Sequence, residues 1–174
     1  QGADVILVSG PVAISTLNPK IKVVKVESAD EMFAESMAHF PNCDGAVMCA
    51  AVADFTPVVV ENQKTKRGKS NWTLELKPTR DIAQALGDIK SEKQILVGFA
   101  LETSDEIKNA EQKLARKKLD FIVLNSLNDK GAGFQVDTNK ITIIDKDNNQ
   151  QVFELKSKKE VAVDIVEKIK SIIG

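Results

Sequence analysis

The sequence is poor in the residues from which disulfide scaffolds, zinc centres and histidine-based catalytic sites are built. Its two cysteines, Cys43 and Cys49, lie six residues apart with no second pair, which disfavours a structural zinc site and a disulfide framework. A reducing cytosol is the simplest compartment for such a chain, so we expect a cytoplasmic protein. The one histidine, His39, falls in the last turn of a predicted helix and is assigned no catalytic role. Cys49 has no clear base beside it and is interpreted as a small apolar or backbone-contact position.

Strong net charge and long apolar runs are missing as well. Lys and Arg number 24 and Asp and Glu number 25, so the formal net charge is -1 and no global field draws the chain to nucleic acid or an anionic membrane. Any basic site must therefore be local. The longest apolar runs are too short to cross a bilayer. With 43% hydrophobic and 28% charged residues, the sequence predicts one globular domain over residues 1–174.

The start of the chain lacks an initiator methionine and a signal peptide, and it runs directly into a strand. Gln1 is interpreted as the end of a preceding helix with Gly2 as its C-cap, so we expect natural sequence upstream. No Gly-rich dinucleotide-binding fingerprint follows a first strand. This argues against a Rossmann-type dehydrogenase, although upstream sequence would be able to supply such a fingerprint.

Short apolar runs alternate with helical stretches along most of the chain. Strands are predicted at residues 4–9, 21–26, 45–51, 94–100 and 120–125, with a closing hairpin around the turn at 147–149. Capping boxes, Ser28 with Glu31 and Thr103 with Glu106, predict two helix starts, and further helices are predicted at 81–89 and 158–173. The alternation predicts an α/β fold: a Rossmann-like three-layer arrangement of a mostly parallel sheet with helices on both faces.

A basic arm at residues 55–77 interrupts this alternation. Residues 58–60 and 72–76 have extended patterns, and the segment between them carries Lys64, Lys66, Arg67 and Lys69 with almost nothing apolar. We interpret this arm as a β-hairpin with a mobile basic flap, which could fold over a triphosphate and exclude water. A charged turn is more often a solvated loop. The concentration of charge on a balanced chain, directly after Asp54, favours the functional interpretation here.

Small and polar residues follow several predicted strands at their carboxyl ends, which is where open α/β sheets bind ligands. They include residues 9–11, residues 49–54, residues 98–100 with Glu102 and Thr103 after them, and Asn125. Small residues allow the backbone to approach a ligand, and Asp54 could accept hydrogen bonds from ribose hydroxyls. Spacing alone favours sheet packing for the alanines and a turn cap for Asp54.

Two helices offer further candidates for binding an anion. Thr79-Arg80-Asp81-Ile82 opens a helix whose free amides could bind phosphate, although Asp81 there more commonly complements the helix dipole. Lys113 and Lys117 share a helix face and could reach one polyphosphate. Because other cations lie beside them, a solvated basic helix end fits the sequence equally well.

Taken in order, several strings resemble successive motifs of the phosphopantothenate–cysteine ligase family, also called phosphopantothenoylcysteine synthetase. They are residues 8–11 (VSGP), 50–54 (AAVAD), 64–67 (KTKR), 79–82 (TRDI) and 97–103 (VGFALET), and Gly133-Phe134 with Asp137 and Asn139 continues the match. In bacteria this ligase is usually the C-terminal half of a bifunctional coenzyme A biosynthesis protein of the DNA/pantothenate metabolism flavoprotein family. The other half is a flavin-dependent decarboxylase.

The resemblance implies CTP-dependent joining of 4′-phosphopantothenate to cysteine. The pantothenate carboxylate attacks the α-phosphate of CTP and pyrophosphate leaves; the cysteine amine then attacks the acyl-cytidylate and CMP leaves. The resemblance further implies Mg²⁺ with the triphosphate, a homodimer to which the arm contributes, and a fused or associated decarboxylase half that alone would hold flavin. It implies no nucleic-acid or membrane partner.

The resemblance also implies a set of site residues. Lys64 would be catalytic and would contact both the nucleotide and the intermediate. The implied nucleotide-binding residues are Met48, Cys49, Ala50, Asp54, Lys64, Arg80, Asp81, Ile82, Ala83, Phe99, Lys113 and Lys117. The implied flap residues are Lys66, Arg67, Gly68 and Lys69. No metal ligand is assigned.

The chain departs from the family pattern at several points. Arg67 replaces a lysine of the family's Lys-x-Lys-Lys motif, and Ser126 follows Asn125 where the family often has aspartate. The family's N-terminal strand, its Gly-rich loop and the asparagine of the carboxylate activation step are absent, so we expect these 174 residues alone to be weakly active or inactive. The alternative is a nucleotide-binding or dimerisation module without ligase activity. Sequence alone does not decide between CTP and ATP.

Overall fold

The structure is a computed structural model that describes residues 2–60, 63–64, 66, 71–102, 104–126 and 136–174. Its helices are Ala29–His39 (α1), Ile82–Ile89 (α2), Glu106–Arg116 (α3) and Lys158–Ile173 (α4), with a 3₁₀ turn at Phe40–Asn42. Its strands are Val5–Ser9 (β1), Ile21–Lys25 (β2), Gly45–Met48 (β3), Phe55–Pro57 (β4), Leu76–Pro78 (β5), Ile95–Glu102 (β6), Phe121–Ser126 (β7), Thr138–Asn139 (β8), Ile141–Asp145 (β9), Gln150–Val152 (β10) and Lys156–Ser157 (β11).

The main sheet has five strands in the order β10-β9-β7-β6-β3. β3, β6 and β7 are parallel, whereas β9 runs antiparallel to β7 and β10 antiparallel to β9. The closing hairpin makes the sheet mixed, because β9 runs against the other four strands, while β3, β6, β7 and β10 run in one direction. β1 and β2 form a separate parallel pair. Within the described ranges, β1 pairs with no strand other than β2, and β3 with none other than β6.

Helices cover the main sheet on both faces, as the apolar strands predict. The core cluster on the side of α1, α2 and α3 includes Met32, Leu86, Leu96, Leu114 and Ile122. The cluster on the side of α4 includes Val97, Phe121, Ile143, Val161 and Ile165. The neighbours Leu96 and Val97 belong to different clusters and are both fully buried, which is the pattern of a strand covered on both faces. In the parts of the chain with described structure, no helix combines the length and apolar character needed to span a bilayer.

The helix starts agree only in part with the predicted capping boxes. Ser28 and Glu31 form the predicted box, since the Ser28 hydroxyl accepts from the Glu31 amide and the Glu31 carboxylate accepts from the Ser28 amide. The helix start predicted at Thr103 is too early. Asp105 is the N-cap of α3, with φ 45° and no side-chain capping bond, so Glu106 takes the first helical position and not the third. Thr103 itself lies outside the described residues.

The arm contains the predicted antiparallel pair, but nearer its base than predicted. β4 and β5 pair at residues 55–57 and 76–78, and of the predicted segments 58–60 and 72–76 only Leu76 and the Val58 amide, which donates to the Glu75 carbonyl at 3.0 Å, take part in the described pairing. The base is held by Thr79, whose amide donates to the Asp54 carbonyl at 2.9 Å and whose hydroxyl donates to the Ala53 carbonyl at 2.6 Å. Farther out, Val60 and Trp72 are exposed and contribute little burial to hold strands together.

Gly87 allows α2 to lie directly against the end of α3. A Cβ atom at this position would lie 2.0 Å from the Lys117 carbonyl oxygen, which is closer than real Cβ contacts come. The neighbouring ion pair between Lys118 Nζ and Asp88 Oδ1, at 2.7 Å, joins the same two helices. The contact at Gly87 therefore determines where the last turn of α3 sits relative to α2.

Replacing Gly87 with alanine is expected to lower the free energy of unfolding by about 1–3 kcal/mol, the usual cost of overpacking. The clash outweighs the gain of about 1 kcal/mol in helix propensity. Urea unfolding measures the change. Gly10→Ala is the matched control, because its Cβ would meet nothing nearer than Met32 Cε at 3.9 Å. A Gly87→Ala variant as stable as the parent would show that the two helices do not approach this closely.

Candidate functional site

The loop that follows β3 is tied to the start of α2. The two hydrogen bonds of Thr79 to the carbonyls of Ala53 and Asp54 bring this loop beside Arg80 and Asp81. Both segments lie at the carboxyl end of β3, where α/β folds bind ligands. The Asp54 side chain is exposed there. The structure thus places the predicted Asp54 loop and the predicted helix start next to each other.

Asp81 joins the start of α2 to the end of α3. Its Oδ1 accepts from the Gln84 amide at 3.1 Å, which caps α2, and lies 3.0 Å from Lys117 Nζ. Arg116 Nη2 lies 4.0 Å from the Oδ2 atom. Burial raises the pKa of the Asp81 carboxyl, but the Gln84 amide and the Lys117 and Arg116 cations together lower it by more than burial raises it. The pKa of Asp81 is therefore below its ordinary value. Asp81 is therefore a carboxylate that both caps a helix and holds two basic side chains.

Lys113 lies one turn earlier on α3 and contacts the carboxyl end of β6. Its Nζ is 2.5 Å from Oε1 of Glu102, the last residue of β6. Asn109 Nδ2 lies 3.4 Å from the other oxygen of the same carboxylate. Glu102, Asn109, Lys113 and Arg116 line one open depression beside α3. The cations of α3 are thus gathered between the end of β6 and the start of α2.

Arg80 points toward a different neighbour. Its Nε and Nη2 lie 3.1 and 3.0 Å from Asp30 Oδ1 on α1, and its guanidinium stacks 3.8 Å from the centroid of the Phe33 ring. Both contacts orient the side chain toward α1 and away from Lys117. Arg80 therefore links the starts of α1 and α2, and the structure does not bring its guanidinium into the group formed by Lys113 and Lys117.

Comparison with known proteins decides the family. The family described as DNA/pantothenate metabolism flavoprotein C-terminal domain matches residues 1–173. The chain belongs to the DNA/pantothenate metabolism flavoprotein family. This confirms the resemblance that the sequence motifs indicated.

Relatives within the flavoprotein family are longer than this chain. A protein named cysteine/cysteine sulfinic acid decarboxylase, from an unknown prokaryotic organism, is 55% identical over 173 residues, which cover 99% of this chain and 48% of that protein. The coenzyme A biosynthesis bifunctional protein CoaBC of Bacillus subtilis (strain 168) is 44% identical over 168 residues, covering 97% of this chain and 41% of that protein. The chain thus spans less than half the length of these relatives.

A solved structure of the flavoprotein family has the same fold. The crystal structure of the C-terminal domain of a coenzyme A biosynthesis bifunctional protein CoaBC is similar with a TM-score of 0.80 at 36% identity. The match covers 99% of this chain and 76% of that chain. The mixed α/β arrangement described above is therefore shared with that domain.

The residues implied by the family resemblance fall on two faces of the sheet. Met48 packs against the core on the side of α1, α2 and α3, and it leads into the exposed residues Cys49 and Ala50. Ile82 is buried in the same core, so its side chain is not available to a ligand. Phe99 packs against the cluster on the side of α4 and therefore lies on the opposite face from the cations of α3.

The flap is described only in part. Lys64 and Lys66 are exposed, and Arg67, Gly68 and Lys69 lie outside the described residues. The placement of Lys64 over the other site residues stays a prediction.

The sequence indicated the strand-end positions of Glu102 and Asn125 but not their surroundings. Glu102 and Asn109 approach Lys113 through non-local contacts that no sequence pattern indicated. The Asn125 Oδ1 atom at the end of β7 is buried and has no hydrogen-bond partner in the described part of the chain. Across the same residues, no group of three or more His, Cys, Asp or Glu is placed to hold a metal ion.

The charge of Asp81 is expected to stabilise the fold separately from the role of Asp81 as a helix cap. Asp81→Ala should lower the free energy of unfolding by about 1 kcal/mol, because it removes the N-cap. Asp81→Asn keeps a capping oxygen and should lower the free energy of unfolding by less at neutral pH, because it loses only the charge interaction with Lys117 and Arg116.

The pH dependence of that difference follows from the lowered pKa of Asp81. A carboxyl with a folded pKa below its unfolded value stabilises the fold above the unfolded pKa, and this contribution is lost as the pH falls through the folded pKa. The stability difference between the parent and Asp81→Asn should therefore shrink as the pH falls through about 3.9 and below it. Urea unfolding across this range tests it, and a difference that grows on acidification would contradict it.

Proposed function

We propose that the chain takes part in the CTP-dependent ligation of 4′-phosphopantothenate with cysteine in coenzyme A biosynthesis. One observation carries the proposal. In a chain that matches the family over residues 1–173, the Asp54 loop, the start of α2 and the basic side chains of α3 lie next to one another at the carboxyl ends of β3 and β6. This is where a nucleotide binds in open α/β sheets.

The charge arrangement suits a triphosphate. Lys113 and Lys117 each have a carboxylate partner, yet an ammonium group has three N–H donors and one ion pair leaves others available to phosphate oxygens. Arg116 adds a planar donor beside them at 4.0 Å from Asp81. Lys64 and the flap residues would supply further positive charge from the arm. Such fixed donors stabilise the charge that develops on the leaving pyrophosphate.

The chemistry has two balanced steps. A carboxylate oxygen of phosphopantothenate forms a bond to the α-phosphorus of CTP while the bond to pyrophosphate breaks, which gives an acyl-cytidylate. The cysteine amine then forms the amide bond, loses a proton, and CMP leaves. Magnesium would enter with the nucleotide as part of the substrate, because triphosphate oxygens are its preferred ligands. Holding the reactants in line is the main task of the protein.

The proposal also includes structural and cellular features. The fold would be a Rossmann-like three-layer arrangement with a basic flap over the site, the protein would be cytoplasmic, and a separate decarboxylase half would hold flavin. A homodimer formed through the arm is also part of it. Phe55, Val60 and Trp72 on the arm are 58%, 76% and 67% exposed, which is much apolar surface for so small an element.

A nucleotide-binding or dimerisation module without ligase activity is the second candidate. It is favoured by the length of the relatives, of which this chain spans less than half. In that case the chain would bind CTP and form dimers, but the reaction would need residues from elsewhere. Both candidates predict binding of CTP, but only the first predicts ligase turnover.

Nucleotide binding is expected to depend on Lys113. Replacing Lys113 with alanine should weaken the affinity for MgCTP by roughly tenfold or more, because a charge-assisted hydrogen bond is lost. Isothermal titration of the 174-residue chain measures this. Lys118→Ala is the matched control on the same helix end, since Lys118 pairs with Asp88 away from the site. Absence of CTP binding by the parent chain, or equal effects of the two substitutions, would refute the proposal.

Ligase turnover is measured separately, as release of pyrophosphate and CMP from CTP, phosphopantothenate and cysteine. Turnover supports the ligase proposal, and we expect Lys64→Ala to reduce it because Lys64 is the proposed catalytic residue. Binding without turnover supports the second candidate for this chain. Turnover that is unaffected at Lys64 would contradict the catalytic role proposed for that residue.

Dimerisation through the arm gives a further test. Val60→Lys should shift the chain from dimer to monomer in sedimentation experiments, because a charge would be buried in an apolar interface. Val152→Lys is the control, since Val152 is similarly exposed on β10, at 63%. A parent chain that sediments as a monomer, or a dimer that tolerates Val60→Lys, would rule out the arm as the interface.

A further inference from the structure

Glu102 differs from the other carboxylates that contact α3. Its side chain is 14% exposed, whereas the side chain of its partner Lys113 is 39% exposed. The carboxylate is thus the buried and fixed member of the pair, and the ammonium is the member that reaches solvent. A buried carboxylate without a cation would carry a large desolvation cost, so the pair holds Lys113 in place strongly.

A second side chain fixes the position of Glu102. Asn109 Nδ2 lies 3.4 Å from Glu102 Oε2 and donates to the Ser104 carbonyl at 2.9 Å. Asn109 belongs to α3, one turn before Lys113, so the end of β6 and the start of α3 are joined twice. The carboxylate therefore has little freedom to rotate, and the ammonium that it holds is fixed as well.

The ion pair between Lys118 and Asp88 offers a contrast on the same helix end. Its side chains are 58% and 53% exposed, which is typical of surface pairs that contribute little. Its 2.7 Å distance is otherwise similar to that of the pair at Glu102. Burial, not distance, separates the two pairs, and only the pair at Glu102 lies in the depression beside α3.

We propose that Glu102 is a positioning residue for nucleotide binding, which acts by holding the Lys113 ammonium at the carboxyl end of β6. The proposal rests on the proposed function, since it assigns Lys113 to the phosphates of the nucleotide. A free lysine side chain must lose rotamer freedom when it binds phosphate, and an ammonium already fixed by Glu102 has lost it before the ligand arrives. Two N–H donors of the Lys113 ammonium stay available to phosphate oxygens.

An opposite effect competes with positioning. The Glu102 carboxylate is negative and repels a triphosphate, so removing its charge could strengthen binding. Because Lys113 lies on the solvent side of the pair, it screens the carboxylate from a ligand in the depression. We therefore expect positioning to exceed repulsion, and the sign of the change decides between them.

A double-mutant cycle on MgCTP binding tests the proposal. Glu102→Gln keeps the shape of the side chain and removes its charge, and it should weaken binding by roughly threefold to tenfold. In the background of Lys113→Ala the same substitution should cause no loss of affinity, because Glu102 positions only Lys113 and removing its unscreened charge can only relieve repulsion. Asp88→Asn is the control for loss of an ion pair on the same helix end and should leave the affinity unchanged. Thermal unfolding of each variant reports any general loss of structure.

The possible results separate the two proposals. Equal or tighter binding by Glu102→Gln, or an equal loss with and without Lys113, overturns the role of Glu102 while nucleotide binding still depends on Lys113. Absence of CTP binding by the parent chain overturns both. A loss that disappears in the Lys113→Ala background, with Asp88→Asn unchanged, supports the positioning role, because a merely structural effect would persist without the lysine.

Discussion

The contact between α2 and the end of α3 determines where the basic side chains of this protein lie. Gly87 lets the Lys117 carbonyl approach α2 so closely that a Cβ atom would not fit. From that position the Lys117 side chain reaches Asp81 at the start of α2. Lys113, one turn earlier, reaches the end of β6. A small shift between the two helices would move both ammonium groups, so the packing of one glycine controls the electrostatics of the site.

Local charge is organised here by fixed carboxylates. The chain as a whole has a net charge of -1, so it cannot attract a nucleotide through a general positive field. Asp81 and Glu102 instead each hold a lysine at the carboxyl end of the sheet. The arrangement provides donors that are already in place when a phosphate arrives, and it avoids a cluster of unpaired like charges that would destabilise the fold.

The features that depend on neighbouring residues in the chain were predicted well, and those that depend on distant residues were not. The alternation of apolar residues predicted β6, β7 and the full length of α4, and the box of Ser28 with Glu31 predicted the start of α1. The predicted start of α3 was too early because Asp105 adopts a left-handed conformation that periodicity does not reveal. The pair of Glu102 with Lys113 joins a strand to a helix, and no spacing rule identifies it.

The two faces of the sheet constrain how the proposed nucleotide could lie. Phe99 packs on the side of α4, whereas Lys113 belongs to the helices on the other side, yet the family resemblance assigns both to the nucleotide. A ligand confined to one face would reach only one of them. A nucleotide that lies across the carboxyl ends of β3 and β6 can contact the backbone at the end of β6 and the Lys113 ammonium together. The geometry therefore favours a ligand that straddles the edge of the sheet, with its phosphates directed toward α3.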